Sequence, residues 1–291
     1  MRIAYHLGAH CTDDERLLRC LLKNRTPLSS EGIVVPGPAR YRTLLRDTAM
    51  HLRGQAASRE TQAMLLDQIM DEDKADRLIF AWDSFLGYAQ AAVGTSLYPL
   101  AGRRMAAFTR VFPDIETEFF LSIRNPATLL PTLRTRLAAR GVEIALDGID
   151  PFNLRWSDVA ARLRQAVPDA HLTIWCDEDT PLIWPEVLRA VSGHSAAVTL
   201  ADTDDLLAAI MRPEGFARMQ AYVTSNPPAD DKQRRRIASA FLARYARPEV
   251  IQQEIDMPGW DDATVARLTE GYDRDLARLM RMEGITLLTP A

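Results

Sequence analysis

Short, continuous apolar runs alternate with longer stretches of helical periodicity through the first two-thirds of the chain. This alternation is the strongest constraint on its fold. Arg2-Ile3-Ala4-Tyr5-His6-Leu7 reads as a buried strand halted by Gly8, and Gly32-Ile33-Val34-Val35 as a second stopped by Pro36-Gly37-Pro38. Residues 77–82, 118–123 and 171–176 supply three more such runs. Between them, Leu17, Leu18, Leu21 and Leu22 fall at helical spacing, and further helices are expected near 40–53, 57–74, 99–112, 127–140 and 155–166. A strand that is apolar at successive positions must be buried on both faces. The expectation is therefore an α/β fold, a parallel sheet covered by helices on both faces.

Beyond about Asp202 the strands nearly vanish. Segments 204–224, 230–246, 247–256 and 261–282 read as helices, with Pro227-Pro228 and Pro258-Gly259 as breaks. Residues 284–288 read as an edge strand. The expected division is an α/β core over 1–203 and a helical C-terminal region over 204–291, packed on the core as one structural domain.

Composition limits the chemistry. Net charge is −4 and the isoelectric point about 5.8, so no overall basic field gathers nucleic acid. No run of about 18 apolar residues exists to span a membrane, and no apolar leader precedes a cleavage site, so a cytoplasmic protein is expected. Cys11, Cys20 and Cys176 cannot all pair and include no CxxC spacing, which argues against a disulfide scaffold or a structural zinc site. Of 35 basic residues only Lys23, Lys74 and Lys232 are lysine, so any chemistry that needs a lysine has few candidates. Oligomeric state is not fixed by the sequence.

In sheets of this kind ligands bind beyond the carboxyl ends of the strands, and the first strand-to-helix turn is the usual phosphate cradle. Here that turn is Gly8-Ala9-His10-Cys11-Thr12-Asp13-Asp14-Glu15. Its glycine and position suit a phosphate loop. A phosphate, however, wants free N–H groups, a lysine and a small hydroxyl at the helix start. Three consecutive acids stand there instead. Carboxylates in a first helical turn cap its N–H groups, a contribution of about 0.5–2 kcal/mol, and would repel an incoming anion.

The framework of this segment, His6, Gly8, His10, Thr12, Asn24, Gly32 and Pro36, resembles the opening of bacterial sulfotransferases. Those proteins begin with a strand, then H-x-G-x-H-K-T-x-T-T, an apolar helix, an asparagine and a G-[IV]-x-x-P strand. Arg124-Asn125-Pro126 through Thr132 resembles the R-x-P-x-x-x-x-x-S of the same family, and Trp175-Cys176-Asp177-Glu178-Asp179 its E-D turn. Residues 268–290 are similar to its closing helix. The resemblance implies a sulfotransferase-type, P-loop NTPase-like fold. It also implies a site for 3′-phosphoadenosine 5′-phosphosulfate, in which Gly8 and Thr12 belong to the phosphosulfate loop and Arg124 and Thr132 hold the 3′-phosphate. Cys11, Asp14 and Glu15 replace the family's lysine and hydroxyls. Sulfuryl transfer depends on donors aimed at the leaving phosphate, and losing one such group often costs about a hundredfold. The expectation is thus a sulfotransferase-like protein whose phosphosulfate loop is degenerate, with sulfuryl transfer lost or altered. The alternative is an active enzyme acting on a carbohydrate or small alcohol, with an arginine from elsewhere in place of the lysine. A weaker alternative is a metal-dependent hydrolase built on the acidic loop.

Several residues carry two readings each. His10 is a candidate base, because histidine titrates near neutrality, or a histidine pinned in a tight turn. Asp83 follows the third strand where the family often places a serine–glutamate pair; it reads as a base or as a helix N-cap. Asp13, Asp14 and Glu15 cap the first helix or bind a cation, capping being the simpler reading, and Asp177-Glu178-Asp179 repeats that choice. No metal ligand set is assigned. His6 reads as a core residue, Lys232-Gln233-Arg234-Arg235-Arg236 as a solvated helix face, and the tryptophans as packing between helices and sheet.

Overall fold

The computed structural model describes residues 1–143, 148–252 and 255–290. Its six strands are β1 (Arg2–His6), β2 (Ile33–Val34), β3 (Arg77–Ala81), β4 (Glu116–Ile123), β5 (His171–Cys176) and β6 (Ile285–Leu288). They form one sheet in the order β2-β3-β1-β4-β5-β6, and every neighbouring pair is parallel.

The pleat explains the apolar runs. Ile3, Tyr5 and Leu7 enter one core, whereas Ala4 enters the other; Phe119 and Leu121 part from Phe120 in the same way. Each strand therefore needs apolar side chains at successive positions. The first face is covered by α3 (Pro38–His51), α4 (Arg59–Ile69), α5 (Ala101–Thr109), α6 (Pro126–Ala138) and α7 (Trp156–Ala166). The second carries α1 (Arg16–Lys23), α2 (Arg25–Ser29) and α8 (Thr180–Ser192). Trp156 packs in the first core and Trp175 and Trp184 in the second, as read from the sequence.

The C-terminal residues separate into two parts. The helices α9 (Asp205–Ile210), α10 (Pro213–Ser225) and α11 (Asp231–Tyr245) share a small cluster around Leu207, Met211, Met219 and Ala238, and the short α12 (Pro248–Ile251) follows them. By contrast, α13 (Asp262–Leu279) sends Tyr272 and Leu279 into the first core, and β6 extends the sheet beside β5. The stretch read as one helix over 204–224 is two, because Pro213 cannot continue the first helix and instead starts the second at its first position. The helix expected over 247–256 is seen as Pro248–Ile251, with positions 253 and 254 outside the described residues. Nor is the basic run a purely solvated face. Arg234 pairs with Asp204 and Arg235 with Glu186, tying α11 to α9 and α8. Among the described residues no helix is long and apolar enough to cross a membrane.

Because all strands are parallel, their carboxyl ends share one edge. From β1 the chain crosses beyond β3 to reach β2; from β4 it moves the opposite way to β5. The crevice between β1 and β4 is thus the point where the winding reverses, the position at which doubly wound sheets place their ligands.

Candidate functional site

The turn after β1 is built on a close approach. Leu7 donates to the Phe120 carbonyl at 2.8 Å and Trp82 donates to the His6 carbonyl at 3.1 Å, so the ladder holds until the chain leaves the sheet at Gly8. Gly8 has φ +52°, and a Cβ there would stand 2.8 Å from the Asp83 Cα. Only glycine fits. Cys11, Asp14 and Glu15 also take left-handed φ values of 65°, 49° and 62°. Three such residues in five mark a loop held against local preference, at about 1 kcal/mol or more each.

Its partners hold it. The Thr12 hydroxyl donates to the Ala9 carbonyl at 2.7 Å. Asp13 accepts from the backbone N–H groups of Glu15 and Leu17 at 3.2 and 3.1 Å, so it caps α1 as expected. Asp14 and Glu15 do not cap. Asp14 pairs with Arg136 of α6 at 2.6 Å, and Glu15 with Arg42 of α3 at 2.7 Å. The three acids therefore point three ways, and among the described residues no group of three or more His, Cys, Asp or Glu side chains is placed to hold a metal ion.

His10 is buried and stands against Tyr98, their rings parallel within 11°. The Tyr98 hydroxyl accepts from the His10 backbone N–H at 2.8 Å and lies 2.9 Å from its Nδ1. Burial pushes the phenol pKa far up, so the hydroxyl keeps its proton. With one proton and two lone pairs, the hydroxyl bonds to Nδ1 in either tautomer of the imidazole while it accepts from the backbone. Burial also lowers the His10 pKa, against the opposing charge of Asp83, so the ring is neutral at physiological pH. His10 and Asp83 line one small cavity together with Arg42 and Arg136. No helix begins at Asp83, which sets aside its N-cap reading; its Oδ1 accepts from the Ser84 hydroxyl at 3.1 Å. His6 is buried below, stacked on Trp175.

Arg124, at the end of β4, donates from Nη1 to the Cys11 carbonyl, from Nη2 to the Thr132 hydroxyl at 3.2 Å and from Nε to Thr128 at 3.0 Å. The two residues expected to grip a phosphate, Arg124 and Thr132, are thus bonded to each other. The loop turns a carbonyl oxygen, not an N–H, toward this guanidinium. Burial raises the Cys11 pKa, against Arg136 and Arg124, so a neutral thiol stands where a lysine was sought.

At the end of β5, the capping expected of Asp177-Glu178-Asp179 is absent. No side chain there caps α8. Glu178 instead accepts from the Asn125 N–H at 2.8 Å and from the Tyr272 hydroxyl at 3.4 Å, joining β4 to α13. Asp177 is pushed up to about 7, first by burial and then by Glu178, Asp13 and Asp14, with Arg124 opposing. It titrates at neutral pH beside the loop.

Sequence reasoning missed Tyr98, Arg42 and Arg136. Arg136 was within reach, because Thr128, Thr132 and Arg136 follow at intervals of four on one face of α6. Tyr98 gives no local signal. The cavity itself is small, about 40 Å³, against roughly 300 Å³ or more for a site that encloses a nucleotide-sized ligand. No family model, curated protein or solved structure matches this chain.

Proposed function

We propose that this chain is a sulfotransferase-like protein of P-loop type in which the loop after β1 has exchanged phosphosulfate binding for internal pairing, so that sulfuryl transfer is lost. The observation that carries this reading is the Cys11 carbonyl seated on Arg124, within an edge whose cavity is about 40 Å³. The Cys11 carbonyl occupies Arg124, and Asp14 and Glu15 neutralise Arg136 and Arg42, so the positive charge that a leaving phosphate requires is already matched within the loop. Such a protein binds a small polar ligand or a partner without turnover.

Calorimetry with 3′-phosphoadenosine 5′-phosphate tests it. The native chain is expected to give no micromolar binding, and Cys11→Lys combined with Asp14→Thr and Glu15→Thr is expected to create it. Micromolar binding by the native chain, lost in Arg124→Ala, overturns the reading.

The second reading is an active sulfotransferase on a carbohydrate or small alcohol. It is favoured by Arg42 and Arg136 beside the loop, either of which supplies the missing cation, and by the neutral His10 beside Asp83 as the candidate base. Transfer of labelled sulfate from 3′-phosphoadenosine 5′-phosphosulfate to a sugar panel, abolished by Arg136→Ala, selects it over the first.

A further inference from the structure

A second, larger concavity lies away from the loop after β1, where α13 crosses the segment 150–155. It encloses about 460 Å³, within the range of small-molecule sites. Arg155, Arg267, Arg274 and Arg278 line it, against Asp150 and Asp275 as its acids. Both carboxylates already serve the backbone. Asp150 accepts from the Phe152 N–H at 3.0 Å, and Asp275 Oδ2 from the N–H groups of Trp156 and Ser157 at 2.7 and 3.1 Å. The arginines are only loosely engaged: Arg274 stands 3.9 Å from Glu270 and Arg278 4.0 Å from Asp158. Arg267 lies flat on Phe152, 4.0 Å from the ring centroid, which fixes its plane. In a chain of net charge −4, this is a local positive excess in a shaped groove.

Asp275 itself is sealed beneath the groove. It is 6% exposed, and its Oδ1 is buried without a hydrogen-bond partner among the described residues. An unmet carboxylate oxygen keeps its negative charge uncompensated just beneath the wall that carries the arginines.

We propose that this groove binds a phosphate or sulfate ester that carries more than one oxyanion group, as on a small sugar, with the oxyanions on the planar guanidiniums of Arg155 and Arg267. The inference does not rest on the reading of the loop after β1. It also links the groove to that loop. Asp275 holds the first turn of α7, where Trp156 Nε1 donates to the Arg124 carbonyl at 2.8 Å and the Trp156 ring packs on Tyr98.

Calorimetry at constant ionic strength tests it, with inorganic phosphate, fructose 1,6-bisphosphate and a disulfated disaccharide as probes. One of the two esters is expected to bind at least about tenfold tighter than inorganic phosphate, and which one identifies the ester type. Arg155→Gln with Arg267→Gln, both exposed positions, is expected to weaken that binding by about tenfold or more while the thermal midpoint stays unchanged. Arg59→Ala, at an exposed arginine outside both cavities, is expected to leave it intact. Failure of both esters to bind below about 1 mM, or binding that survives the double substitution, overturns the proposal.

Discussion

Around the loop after β1, Arg42, Arg124 and Arg136 sit on carbonyls or close carboxylates, with Asp14 and Glu15 at 2.6 and 2.7 Å. Along the α13 groove, Arg274 and Arg278 stand 3.9 and 4.0 Å from their nearest carboxylates, and the cavity is more than ten times larger. The same side chain thus does two different things in one molecule. A cluster of cations becomes an anion site only where the fold has not already matched them with its own acceptors. The edge that looks like a ligand site by topology is closed on itself, and the groove that topology does not mark is open.

The strongest response belongs to the crowded edge. The Asp177 pKa lies above that of an unfolded aspartate, so the folded chain holds a proton that the unfolded chain has released. That contribution is present in full below about pH 4 and is lost as pH rises through about 7, a change of up to about 4 kcal/mol. Asp177→Asn should therefore flatten the stability profile between pH 4 and 7 relative to the native chain, read by urea denaturation at each pH. An unchanged slope would place Asp177 in solvent and leave the edge less crowded than described.

Next comes steric tightness. Gly8→Ala sets a Cβ 2.8 Å from the Asp83 Cα at a left-handed φ, and a loss of about 3 kcal/mol is expected by chemical denaturation. Removing the Tyr98 hydroxyl is smaller. Tyr98→Phe leaves the buried His10 N–H without its acceptor, for a loss of about 1–3 kcal/mol. It also removes the hydrogen bond at Nδ1, so the His10 Nδ1 and Nε2 nitrogen resonances should move in NMR spectra. The smallest effect falls on the open side and has the opposite sign. A Cβ at Gly271, on the groove wall within α13, meets nothing within 4 Å, so Gly271→Ala should stabilise by about 0.5–1 kcal/mol. Destabilisation there would mean that the groove is filled.

The strands were legible because both sides of the pleat enter a core, so apolar residues recur at successive positions; all six stand within two residues of the apolar runs. The helix α8 was not, since Pro181 and Pro185 interrupt its pattern while the buried Ile183, Trp184 and Val187 hold it in place. At the edge, Arg124 and Thr132 were read from a motif spacing of eight, one just past β4 and the other on α6. Tyr98 could not, because it meets His10 across 88 positions of chain and no short-range rule reports such a contact. The fate of Asp14 and Glu15 was hidden for the same reason. Helix-start chemistry predicts a cap, and only tertiary packing brings Arg136 and Arg42 near enough to outcompete it.

One consequence concerns the order in which the sheet is completed. Between Cys176 at the end of β5 and Ile285 at the start of β6 lie roughly a hundred residues, yet the two strands pair from Leu172–Ile285 to Trp175–Leu288. Closing so long a loop adds a conformational cost that short-range contacts elsewhere in the sheet avoid. Until β6 arrives, β5 presents an open row of N–H and C=O groups, the edge most able to pair with another chain. The last strand therefore acts as a seal, and conditions that detach it should be the first to provoke self-association.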